Sequence, residues 1–164
     1  MGACALKLYT IGFTKKSASK FFELLRGSGA ERLVDVRLHN ASQLAGFAKG
    51  GKENLAYLLQ EICRMEYVHA PDLAPTKELL DSYRKGECDW DSYEREFVAL
   101  LNERRIFTEG LQPTEGIRIV KRLKATIANS CLLCSEHEPD HCHRRLVAEY
   151  FQRHWGDVEI EHLI

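Results

Sequence analysis

The succession of hydrophobic patterns predicts an α/β fold, a mainly parallel central sheet with helices on both faces in a three-layer α/β/α arrangement. Three observations carry this prediction. Short β-branched or apolar runs alternate with helical periodicities along most of the 164 residues. The late run Ser130-Cys131-Leu132-Leu133-Cys134-Ser135 is almost wholly apolar, as a central parallel strand covered on both faces must be. A helical pattern separates the first two strand patterns, which implies a right-handed parallel crossover.

Residues 7–13 (KLYTIGF) read as the first strand. Ser17 can cap a helix whose Ala18, Phe21, Phe22 and Leu25 share one face, and Gly27 and Gly29 end it. Leu33-Val34-Asp35-Val36-Arg37 is the second strand. Residues 38–52 carry no period and read as a long loop, a feature that in a compact domain usually serves function. Leu55, Leu58, Leu59 and Ile62 form a helical stripe, and Tyr67-Val68-His69-Ala70 forms a short strand stopped by Pro71. Residues 72–112 hold two helical patterns and read as a helical insertion into a single domain spanning 1–164. A further helix is expected over residues 116–126. The last helix runs from about Cys142 to Trp155 and is closed by Gly156, after which residues 158–163 alternate as an edge strand.

The composition sets limits on function. With 45% hydrophobic and 29% charged residues and a formal net charge of −1, the chain has the balance of an ordinary globular protein. It lacks the global positive field of a non-specific nucleic-acid or membrane-surface binder. No apolar run is long enough for a membrane span and the N-terminus does not read as a signal peptide, so a cytoplasmic location is expected. Six cysteines in that compartment are expected to be reduced.

In open parallel sheets ligands bind beyond the carboxyl ends of the strands. Four polar strand ends fall there: Thr10-Ile11-Gly12, Asp35-Val36-Arg37, His69-Ala70-Pro71 and Cys134-Ser135-Glu136. Alternation puts Asp35 with Arg37 on one face, puts Cys134 with Glu136, and turns Cys131 away from Cys134. Cys142-His143-Arg144 opens the last helix, where free N–H groups and the helix dipole favour an anion, and Arg144 would add a planar fork. The same dipole would favour a Cys142 thiolate. His143 lies on the apolar stripe with Leu146 and Val147, so it should point inward, with Asp35 or Glu136 as its natural partner. Thr10, Asp35, Cys134 and Arg144 are expected around one pocket.

No dinucleotide-binding glycine motif, Walker lysine or nucleophile elbow occurs, and no cofactor is expected. No metal site is assigned. The opposed faces of Cys131 and Cys134 weaken a zinc site that uses both, whereas a set of Cys134, Cys142 and one of His137, His141 or His143 is geometrically open.

Tyr9-Thr10-Ile11-Gly12 with Ser17, Val34-Asp35-Val36-Arg37, and above all Leu132-Leu133-Cys134-Ser135-Glu136 followed by Cys142-His143-Arg144, resemble the family of the domain of unknown function 488. The resemblance covers nearly the whole chain. It implies a compact bacterial or archaeal cytosolic domain without an established activity. The family signature falls on Thr10, Gly12, Asp35, Arg37, Cys134, Glu136, Cys142, His143 and Arg144. The chain departs from the family pattern after Arg37, where a proline is common, and at Pro71-Asp72-Leu73-Ala74, which replaces a glycine-rich segment.

Two classes of function are compatible with these residues. The first is an enzyme, or a degenerate enzyme, that binds a small anionic ligand such as a nucleotide at the strand ends. Arg37 and Arg144 (with Thr10 and Gly12) would bind the ligand, Asp35 or Glu136 with His143 would handle protons, and Cys134 or Cys142 would be a nucleophile. The second is a non-catalytic binding module, with nucleic acid as the alternative partner, using those arginines and an Arg118, Lys121, Arg122 face on phosphates.

Overall fold

The computed structural model describes residues 6–41, 51–104, 106 and 129–164. Among them five strands form one all-parallel sheet: β1 (Leu6–Gly12), β2 (Arg32–Asp35), β3 (Glu66–His69), β4 (Ser130–Cys134) and β5 (Val158–Leu163), in the order β3-β2-β4-β1-β5. The α/β architecture expected from the sequence is present, and the apolar run 130–134 is its central strand, buried at every position.

Helix α1 (Ala18–Ser28) starts where the Ser17 hydroxyl accepts the Lys20 N–H, and ends at Gly29, whose φ of 76° places it in the left-handed region. Gly27 continues the helix rather than ending it. Helix α2 (Gly51–Leu58) widens into a π-helical turn (Leu59–Cys63) and closes on Arg64 in the left-handed conformation. The insertion supplies a 3₁₀ turn (Pro71–Leu73), α3 (Lys77–Arg84) and α4 (Trp90–Glu103), the last two capped by Thr76 and Asp89. Helix α5 (His143–Trp155) begins after Cys142. The expected helix over 116–126 and the Arg118, Lys121, Arg122 face lie outside the described residues. No helix among the described residues is long and apolar enough to cross a membrane.

Strand alternation divides the interior into two cores. On one face α1 and the end of α2 bury Phe21, Leu25, Leu55 and Leu59 against Tyr9, Ile11, Leu33, Cys131 and Leu133. On the other, α4 and α5 bury Phe97, Leu101, Val147 and Phe151 against Leu8, Val34, Leu132 and Val158. At roughly 1.5–3 kcal/mol per fully buried large apolar side chain, these two layers dominate the stabilisation. They also hold the carboxyl ends of β1, β2 and β4 at one edge of the molecule.

Candidate functional site

The register of the sheet decides which strand-end side chains meet. Asp35 stands opposite Leu133 and Val34 opposite Leu132, so Asp35 projects to the α1 face while Cys134 projects to the α4 and α5 face. Thr10, Asp35, Cys134 and Arg144 were expected around one pocket, but only Cys134 of the four lines it. Asp35 and Arg37 do share a face, as alternation required, and so lock onto each other. The Asp35 carboxylate accepts from Arg37 Nε (2.8 Å), Arg37 Nη2 (2.6 Å), the Arg37 backbone N–H (3.1 Å) and the Tyr67 hydroxyl (2.7 Å). Burial would lower the Arg37 pKa, but the Asp35 carboxylate outweighs it and holds it above the usual value. Burial and the Asp35 charge raise Tyr67, so its hydroxyl stays protonated and donates. Arg37 also donates to the Asn40 carbonyl (3.0 Å) and lies 5.0 Å over the Phe13 ring. Asp35 is thus an anchor for Arg37, and the proton-handling role expected of it has no free oxygen to work with.

Arg144 differs most from expectation. It points into the protein and is fully buried. Its guanidinium donates to the carbonyls of Glu136 and His137 (the latter at 3.0 Å), to Thr10 Oγ1 (3.4 Å) and to Cys142 Sγ (3.4 Å). Its fork is spent on tying the loop after β4 to the start of α5, and it does not face the cavity as the anion-binding reading required. Thr10 is equally committed, accepting from Arg144 and hydrogen-bonded to His162 Nδ1 at 2.7 Å. Gly12 belongs to this tie: a Cβ there would sit 1.6 Å from the Glu136 carbonyl oxygen and 2.9 Å from Arg144 Nη1. Glycine is needed for backbone approach, not for ligand contact.

Cys134, Cys142 and His143 do converge. All three are buried, and their ligand atoms lie within 4.8 Å of one another. His143 Nε2 is 2.7 Å from the Val36 carbonyl, which can only accept, so Nε2 carries a proton and in the neutral ring Nδ1 is bare. A backbone carbonyl therefore replaces the Asp35 or Glu136 carboxylate expected as its partner. Cys134 Sγ lies 3.7 Å from Nδ1, and Phe97 packs edge-on against the ring at 5.7 Å.

The two thiols are polarised in opposite senses. A hydrogen bond from the Cys142 thiol, the buried Arg144 charge and the backbone N–H groups of Ser135 and Glu136 lower the Cys134 pKa against the cost of burial. Burial, reinforced by the bond to Cys134, raises Cys142 well above the ordinary thiol value. The lowered pKa expected at Cys142 from the helix dipole falls instead on Cys134. Cys131 lies in the opposite core, where burial raises its pKa, as its turn away from Cys134 required.

The three residues and Glu136 form the base of a cavity of about 580 Å³. Arg37, Leu38 and His39 form one side, and the insertion forms the other with Leu80, Tyr83, Arg84, Trp90 and Tyr93, joined by His141. Trp90 packs with Tyr93 (5.2 Å), Tyr83 (5.5 Å) and His141 (5.1 Å). Sequence reasoning did not single out this aromatic wall. The signal available was Trp90, Tyr93 and Phe97 on one helical stripe, which reads equally as core. Tyr67 beneath Asp35 and His162 beside Thr10 were also missed.

The sequence model of the family described as "Domain of unknown function DUF488" matches residues 17–151. No curated protein and no solved structure matches the chain. With the match spanning both cores and the Cys134 to Arg144 segment, the chain belongs to the DUF488 family.

Proposed function

We propose that the chain is an enzyme, or a degenerate relative of one, that binds a small anionic, nucleotide-like ligand in the strand-end cavity and presents Cys134 to it. The observation that carries this reading is the convergence of Cys134, Cys142 and His143 at the base of a cavity of about 580 Å³, a size suited to such a ligand. In this reading Arg37 and Arg84 receive the anionic group. Arg84 is exposed at the rim and makes no ion pair among the described residues, so its charge is available. The Tyr83, Trp90 and His141 wall accepts a planar ring. Glu136 and His143 handle protons, while Asp35, Arg144, Thr10 and Gly12 hold these groups in place.

The test is a thermal-shift series with inorganic phosphate, nucleoside monophosphates and nucleosides, paired with mass-spectrometric labelling of Cys134 by iodoacetamide. A nucleotide that binds the folded chain should raise its melting midpoint by mass action. It should also slow labelling of Cys134, and both effects should weaken in Arg84→Ala. Melting curves and labelling rates unchanged by every anion in the series would overturn the reading.

A further inference from the structure

We propose that Cys134, Cys142 and His143 bind one soft divalent cation, of which Zn²⁺ is the representative, with a fourth coordination position open to the cavity. The three side chains come from two elements that the fold fixes independently, the end of the central strand β4 and the start of α5. Their ligand atoms lie within 4.8 Å of one another, and Cys134 Sγ is 3.7 Å from His143 Nδ1. Tetrahedral zinc with sulfur at about 2.3 Å and nitrogen at about 2.0–2.1 Å requires ligand atoms roughly 3.5–3.8 Å apart, so the cluster needs only small side-chain rotations to close on an ion.

Three further features favour a metal over a plain packed dithiol. The Nε2–H bond to the Val36 carbonyl leaves Nδ1 as the nitrogen free to ligate, with Cys134 Sγ 3.7 Å from Nδ1 and 3.8 Å from Nε2, and a second ring nitrogen held by a carbonyl is the usual state of metal-ligating histidines. Arg144 Nη1 lies 3.4 Å from Cys142 Sγ and would donate to a metal-bound thiolate there. The donor set of two sulfurs and one imidazole selects zinc-like ions and rejects magnesium and calcium, which want oxygen.

Three protein ligands with the remaining side facing a cavity is the pattern of sites that act on a ligand, whereas purely structural zinc sites are closed by four. The inference thus deepens the pocket reading above, on which it rests for the occupant of the open position, an anionic oxygen of the same small ligand; with the ion bound, Cys134 and His143 serve as its ligands and proton handling falls to Glu136 alone. Binding displaces the thiol protons of Cys134 and Cys142 to solvent, and the ion is bound by two thiolates and a neutral imidazole.

The experiment uses the full chain stripped with a chelator and titrated with Co²⁺ and then with Zn²⁺. One equivalent of Co²⁺ should give thiolate-to-cobalt charge-transfer bands and the intense visible bands of a tetrahedral ion, and Zn²⁺ should abolish both. Cys134→Ser and Cys142→Ser should remove the charge-transfer bands or weaken binding at least about tenfold, whereas Cys131→Ser and Cys88→Ser should leave them intact. Should a site variant fail to fold, the native chain suffices: Zn²⁺ should slow iodoacetamide labelling of Cys134 and Cys142 while leaving Cys63 and Cys88 unaffected. Absence of the bands at one equivalent, bands that survive both folded site variants, or labelling of Cys134 and Cys142 indifferent to Zn²⁺ would overturn the proposal. Nucleotide-dependent melting shifts in the metal-free chain are read separately, so the cavity reading can stand where the metal proposal fails.

Discussion

Replacing Gly12 by alanine tests the reasoning about the tie between β1, the loop after β4 and α5. The added Cβ would lie 1.6 Å from the Glu136 carbonyl oxygen, where non-bonded carbon and oxygen need more than about 3 Å, so the loop or the strand must move by well over an ångström. Overpacking of this kind costs about 1–3 kcal/mol. Displacing the Glu136 carbonyl also breaks its bond from Arg144, a hydrogen bond to a charged group worth roughly 1.5–3 kcal/mol. Together the loss should be about 3–5 kcal/mol, since the freed carbonyl can recover part of its bond from water. At roughly 2–4 °C per kcal/mol for a chain of this size, the melting midpoint should fall by about 6–20 °C. Calorimetric or circular-dichroism melts measure this directly. A drop of less than about 3 °C would refute the argument that Gly12 is required by backbone approach.

Three other outcomes follow from contacts described above. Asp35→Asn leaves the buried Arg37 guanidinium without its counter-charge and should destabilise by about 3–5 kcal/mol, while Tyr67→Phe, which removes one bond to the same carboxylate, should cost about 1.5–3 kcal/mol; urea titrations giving equal losses would contradict the pairing. Burial, then the Arg144 charge with a smaller push from Arg145, lowers the His162 pKa against the pull of Glu149 and Asp140. Its stability contribution is therefore complete above the unfolded value near pH 6.5 and is lost as pH falls from there through the folded value. His162→Gln should flatten that acid limb of the melting curve, and parallel limbs would refute the assignment. Ser17→Ala should cost about 1 kcal/mol through loss of the α1 cap and leave Cys134 labelling unchanged, which makes it a control for the site variants.

Much of the fold was legible because its signals are local. The Ser17 cap, the apolar β4 run and the opposed faces of Cys131 and Cys134 each depend on spacing alone. Register is not local, and register decided the site: Asp35 pairs with Leu133, one residue short of Cys134, so two strand ends that looked like one cluster face opposite sides of the sheet. Arg144 had a legible signal that pointed the other way. It stands three, four and seven residues before Val147, Ala148 and Phe151, all buried, so its helical stripe is apolar and a charge there turns inward. Its anion-binding appearance came from sequence neighbourhood with Cys142 and not from the helical face. The partner of His143 was illegible because a backbone carbonyl, that of Val36, has no side-chain signature.

The position of β4 has a consequence for how this protein is made. It is the fourth of the five described strands yet sits between β1 and β2, so neither of those has its inner neighbour until residue 130 has left the ribosome. Before that point β2 can pair, among the described strands, only with β3, and β1 has α1 over Tyr9 and Ile11 but no strand partner, with Leu8 on its other face uncovered because α5 follows β4 in the chain. Closing the sheet then means inserting an almost wholly apolar segment, buried at every position, between β1 and β2, a long-range step that topologies of high contact order perform slowly. A nascent chain ending near residue 128 should therefore remain protease-sensitive and depend on holding chaperones, with resistance appearing abruptly once β4 is available and not growing with length.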